Sequence, residues 1–171
     1  MRQIHGLRGV QFGDRLGWAY RRDRAGGEHD QYDGPAAVHL AVSSDAGALW
    51  ATLRLRPMVR RTMLRDHFAP LAAATGAPGR GWWEVSRLCR ARGAPRGAGA
   101  ALVLVMALLG REIGAEGALG LFSAPMLRVY RRLGWAPEVL ATQGSGAEAL
   151  AVGRWRFGAA PIAGLAARAG V

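Results

Sequence analysis

The chain has 171 residues, half of them hydrophobic and 20% charged, which is enough for one globular core and too few for two ordinary domains. Its 23 basic residues are all arginine and face 12 acidic ones, a formal charge of +11; without lysine, Schiff-base catalysis and a Walker-type phosphate lysine are excluded. The single cysteine, Cys89, rules out an internal disulfide and a cysteine-held zinc, and no apolar run reaches the roughly 20 residues of a membrane span.

These traits predict a protein of a reducing, cytoplasmic setting, with no signal core at its polar start. Its charge favours anionic partners: an acidic protein, a phosphate-bearing cofactor or nucleic acid. Along the chain, a helical beginning leads to an acidic turn in which Glu28, Asp30 and Asp33 crowd before Gly34 and Pro35. Residues 38–42 and 48–58 read as two antiparallel strands joined by a turn at 43–47. Residues 61–68 suit a short helix ending near Pro70, followed by a small-residue, mobile loop at 72–81. A third strand spans 82–89, and a breaker-rich segment at 92–99 precedes a buried helix at 100–113. A short strand at 119–123, a helix at 126–133 between Pro125 and Gly134, and a closing hairpin at 135–141 and 147–157 complete the order. This alternation predicts an α/β domain built on a mixed sheet.

Three clusters hold residues unusual for their surroundings: Arg8, Phe12 and Trp18; Glu28, Asp30 and Asp33; and Glu84, Ser86 and Arg87 within an apolar strand. A carboxylate and a guanidinium in a half-buried strand are costly unless paired. They form either a structural ion pair, with Arg54 as a partner, or the lining of a cleft. Strand alternation puts Glu84 and Ser86 on one face and Arg87 on the other, so a shared site requires a bulge between them. The acidic turn lacks calcium-loop spacing, and His29 and His39 nearby have no further ligands at metal-site spacing. It is either a solvated turn or a receptor for a cationic ligand, to which Trp18 would offer an aromatic face. Cys89 reads as a small buried apolar group.

Read in order, Arg8, the segment FGDRLGW at 12–18, EHDQYDGP at 28–35, Arg54, the stretch from Met63 and Leu64 to Phe68, WEVSR at 83–87 and RRLGW at 131–135 resemble the signature blocks of the acyl-homoserine lactone synthases, the autoinducer synthases of quorum sensing. The resemblance implies an α/β fold with a GCN5-related N-acetyltransferase-like mixed sheet flanked by helices. It implies one domain over 1–171 in which residues 1–35 form a mobile cover over the substrate. It implies synthesis of an N-acyl-homoserine lactone from S-adenosylmethionine and an acyl thioester of coenzyme A or acyl carrier protein, with no metal or other cofactor.

Carried onto this chain, the resemblance assigns Arg8, Phe12, Trp18, Glu28, Asp30 and Asp33 to S-adenosylmethionine, and Glu84, Arg87 and Arg54 to catalysis. Phe68 matches an aromatic near the cleft. Trp82, Ser86, Met106, Leu109, Leu121, Ser123 and Met126 are candidates for the acyl donor or its tail, most of them on apolar position alone; core packing is the alternative. Two rival readings remain: another acyltransferase of the same fold acting on a different amine, and a basic nucleic-acid-binding module. The acidic triplet and the absence of a helix-turn-helix or zinc-finger pattern count against the latter.

Overall fold

A computed structural model describes residues 1–17 and 21–171. Trp18 lies outside the described residues. The chain begins with helix α1 (Arg2–Arg8), which runs directly into a π-helical turn, Gly9–Arg15. Two short strands that sequence patterning does not mark, β1 (Arg21–Arg22) and β2 (Glu28–His29), pair antiparallel and present the acidic turn.

The main sheet has six strands: β3 (Val38–Ser43), β4 (Leu49–Pro57), β5 (Trp82–Arg90), β6 (Gly117–Ser123), β7 (Glu138–Gln143) and β8 (Leu150–Arg156). Their spatial order is β3-β4-β5-β6-β8-β7. All neighbours are antiparallel except β5 and β6, so the sheet is mixed. That parallel pair joins only three positions, from Trp82 opposite Gly117 to Glu84 opposite Leu119. Beyond Glu84 the two strands part.

Alternation along β4 separates two environments. Ala51, Leu53 and Leu55 belong to the larger apolar cluster, with Val85 of β5 and the long helix α4 (Ala98–Glu112). Thr52, Arg54 and Arg56 are buried on the other face, where Arg54 and Arg56 meet the N-terminal segment. Helix α4 is apolar around most of its circumference and is covered in turn by α5 (Met126–Leu133) and α6 (Ile162–Ala169). Gly134 ends α5 at φ +100°, where only glycine is unstrained, as its position after the last apolar residue predicts.

The largest departures from expectation lie around Pro70 and at the C-terminal end. Within the predicted 61–68 helix only α2 (Met63–His67) forms, its N-terminus capped by Thr62, and a separate helix α3 (Ala69–Ala73) follows Phe68. Pro70 sits in the first turn of α3, where its missing N–H loses no helical bond, so it starts a helix instead of stopping one. The stretch expected as a loop from 72 therefore begins inside α3. Helix α6 follows the closing hairpin, with Leu165 fully buried against the core.

Candidate active site

The bulge required by the sequence is present. Thr52 opposes Cys89 and Arg54 opposes Ser86, so Leu53 faces two residues of β5, and Arg87 takes φ +56°, a left-handed conformation rare for a side-chain-bearing residue. The extra residue turns Arg87 toward the polar face while leaving Val85 and Leu88 with the apolar cluster.

On that face three guanidinium groups and three carboxylates interlock. Arg8 holds Asp33 through two parallel bonds of 2.7 and 2.9 Å and also pairs with Glu28. Arg54 reaches Asp30 at 2.5 and 3.0 Å and Asp33 at 2.8 Å, and donates to the Ser86 hydroxyl at 3.2 Å. Arg87 bonds Glu28 at 3.0 Å and Asp30 at 2.9 Å, with its guanidinium over the Phe12 ring at 5.1 Å. Arg8, Arg54 and Glu28 have no exposed surface, and burial at this depth is tolerable only because every charge meets its opposite. The arginines hold the Asp30 and Asp33 carboxyls below the usual carboxylate range against the opposing effect of burial.

Glu84 is 1% exposed and partners neither Arg54 nor Arg87 by ion pair. Its carboxylate instead accepts the amides of Leu64 at 2.7 Å and Met63 at 3.3 Å at the start of α2. The structural-pair alternative with Arg54 is thereby corrected: Arg54 pairs with Asp30 and Asp33 and donates to Ser86, and backbone dipoles stabilise Glu84. Burial raises the Glu84 pKa, opposed by the Leu64 amide and by the field of Arg54. Met63 connects the two groups, because its sulfur also lies 3.6 Å from the Arg87 guanidinium.

The structure thus gathers Arg8, Phe12, Glu28, Asp30, Asp33, Arg54, Ser86 and Arg87 in one cluster, with Glu84 beside it across Met63. The proposed acyl-tail residues divide between two faces. Met106 lines a cavity of about 10 Å3 together with Leu53, Val85, Leu88, Val103, Tyr130 and Trp155. Leu109 and Met126 pack against the same larger cluster, whereas Phe68, Trp82 and Leu121 pack against a second apolar cluster around Met58, Leu64 and Leu119. Ser123 ends β6, half-buried. The eight candidates therefore do not line one tunnel, because apolar position alone does not distinguish the faces of this sheet. A second hollow of about 380 Å3 lies at Ala124, Pro125, Arg128, Gly146 and Ala147. Neither cavity lies within the ion cluster.

Sequence reasoning missed several members. Tyr32 packs against Arg54 and Arg56 with ring distances of 5.7 and 5.9 Å, and its hydroxyl donates to Asp66. Its place between Asp30 and Asp33 was the available signal. His5, His29 and Asp33 bring one potential ligand atom each to within 4.8 Å of one another, a proximity that sequence spacing hides. The Asp33 oxygens already accept two bonds from Arg8, one from Arg54 and one from the Asp30 amide, so a metal ion there would have to displace an arginine. Buried His39 has neither ring nitrogen hydrogen-bonded, and desolvation holds its pKa down to about 4.

Comparison with known proteins follows the same geometry. The family model described as autoinducer synthase matches residues 1–153. An acyl-homoserine-lactone synthase of Rhizobium etli is 34% identical over 158 residues, covering 86% of this chain and 73% of the relative. One of Ralstonia nicotianae is 32% identical, covering 72% and 65%. Among solved structures, that of BjaI, a coenzyme A-dependent acyl-homoserine lactone synthase with S-adenosylmethionine and isopentyl-coenzyme A, superposes with a TM-score of 0.85 at 22% identity, over 99% of this chain and 81% of that one. The shared fold is the GNAT-like mixed sheet flanked by helices. A match that runs from the first helix into β8, and takes in every residue of the ion cluster, makes this chain a member of the autoinducer synthase family of acyl-homoserine-lactone synthases.

Proposed function

We propose that the ion cluster binds S-adenosylmethionine and that Glu84 activates its α-amine toward an acyl thioester. The observation that carries this is the interlocked set of Glu28, Asp30 and Asp33 with Arg8, Arg54 and Arg87, built next to a buried carboxylate on the same strand. S-adenosylmethionine brings a sulfonium and an ammonium, which the carboxylates answer, and a carboxylate, which a guanidinium answers. Residues 1–35 form the cover of this site, since α1 and the acidic turn supply four of the six charges.

In the first step Glu84 accepts a proton from the α-ammonium. The freed amine attacks the thioester carbonyl, and the tetrahedral oxyanion collapses with cleavage of the carbon–sulfur bond. The proton held by Glu84 passes to the departing thiolate, and the attacking nitrogen releases its second proton to solvent, leaving a neutral amide. Burial suits Glu84 to this task by raising its pKa toward the working pH, and the Met63 and Leu64 amides fix its orientation. In the second step the methionyl carboxylate oxygen attacks its own γ carbon. That carbon–sulfur bond breaks with both electrons on sulfur, and neutral methylthioadenosine leaves. Ring closure is intramolecular, so the protein's part is to fold the chain, with Arg54 and Arg87 positioning carboxylate groups.

The donor is an acyl thioester of coenzyme A or of acyl carrier protein, both polyanionic and suited to an arginine-rich surface. The reaction belongs in the cytoplasm, where these thioesters form; no helix among the described residues is long and apolar enough to cross a membrane.

Purified protein incubated with S-adenosylmethionine and thioesters of both kinds should yield an acylated lactone and methylthioadenosine by mass spectrometry. Glu84→Gln should lower kcat by about 100-fold or more with the fold retained by circular dichroism. Unchanged turnover would remove Glu84 from the chemistry. Acylation without methylthioadenosine would point to another amine acceptor.

A further inference from the structure

We propose that the site takes short acyl groups, of about six carbons or fewer, and that Trp155 sets the limit. This rests on the thioester reading above and adds the class of donor that the site accepts.

β5 and β6 pair only as far as Glu84, and the next residue of β5, Val85, lines a cavity of about 10 Å3. A cavity of that size holds roughly one water- or methyl-sized group. Every further carbon must displace a wall. Those walls are Val85 and Leu88 of β5, Met106 of α4, Tyr130 of α5 and Trp155 of β8.

Trp155 is the least yielding of them. It is 3% exposed, and its indole N–H donates to the Trp135 carbonyl at 3.0 Å. Its ring meets Tyr130 and Phe122 edge to face, with centroids 5.0 and 6.1 Å away, and Phe122 and Tyr130 meet each other at 5.3 Å. Behind it lies bare backbone: a Cβ added at Gly120 of β6 would stand 3.0 Å from the indole. The ring has no space to retreat into, and swinging it away would strand a buried donor and its acceptor. Met106, unbranched and deformable, is the wall that gives, which lets a few carbons enter but not a long tail.

The experiment measures kcat/KM for butanoyl, hexanoyl, octanoyl, decanoyl and dodecanoyl thioesters, each on coenzyme A and on acyl carrier protein. The wild type should favour butanoyl or hexanoyl by about 100-fold over dodecanoyl. Trp155→Leu should move the optimum toward octanoyl or longer. Met106→Ala, which widens the same cavity from α4, should move it in the same direction and covers the case in which Trp155→Leu does not fold. Leu71→Ala, in the other apolar cluster, should leave the order of donors unchanged. A wild-type preference for decanoyl or dodecanoyl, or an order of donors indifferent to both cavity variants, overturns the proposal while leaving lactone synthesis intact. Absence of lactone with every thioester overturns the underlying reading itself.

Discussion

Arg87 carries a full side chain at φ +56°, where glycine would be less strained, and the reason lies in what the side chain reaches. Held there, it bonds both Glu28 and Asp30 from a strand whose regular geometry would point it at α4. This irregularity is the part of the site most legible in the sequence, since alternation requires one if Glu84 and Arg87 are to share a site. The partners were less legible: nothing in their spacing says that Arg8 takes Glu28 and Asp33, or that Glu84 is held by amides of α2, because those contacts depend on how α1 and α2 dock. His39 illustrates the same limit and gives a test. Its imidazole is buried without a hydrogen bond beside Asp33, Arg8, Arg54 and His5, and stays neutral down to about pH 4. Unfolding returns it to the ordinary histidine range, so between about pH 6.5 and 4 the unfolded chain binds more protons and stability falls as pH falls. Raised in the fold, the Glu84 pKa acts in the opposite direction: its contribution is present below the ordinary glutamate value and is lost as pH rises through the folded one. Thermal melts should therefore show Tm dropping from pH 7 to pH 5, and His39→Leu should flatten that drop. An equally steep decline in the variant would assign it to other groups.

Among elements, α4 and the two strands beside it were readable from apolar content and flanking glycines, whereas α6 was not. Its signal is Leu165 and Ile162 against Gly170 at φ +82°, a pattern too short to stand out from an alanine- and glycine-rich tail. The close approach of α4 to the turn after β8 is equally invisible in sequence. A Cβ at Gly110 would fall 2.3 Å from the ring of Phe157, which is itself buried. Gly110→Ala should thus destabilise the protein by about 1–3 kcal/mol in urea unfolding, although alanine is the better helix former. A neutral or stabilising result would mean that Phe157 moves aside at little cost. Likewise, Pro70 was read as a stop and proves to be a start, because a proline's effect depends on which turn it enters.

At the scale of the molecule, the mixed α/β architecture followed from element order, while the division of the sheet into a polar and an apolar face required knowing which strands neighbour which. The charge of +11 bears on encounter with donors rather than on the fold. Raising salt from about 0.05 to about 0.5 M should lower kcat/KM for acyl carrier protein thioesters by about tenfold, by screening the long-range attraction. A salt-independent rate would exclude steering by the arginine surface. The three-position parallel seam has a further effect. Among the described residues it is the only direct strand contact between β3-β4-β5 and β6-β8-β7. A donor wedged into the gap would act as a crossbeam between these half-sheets, so rigidity across the molecule becomes a property acquired with the thioester and surrendered with the product.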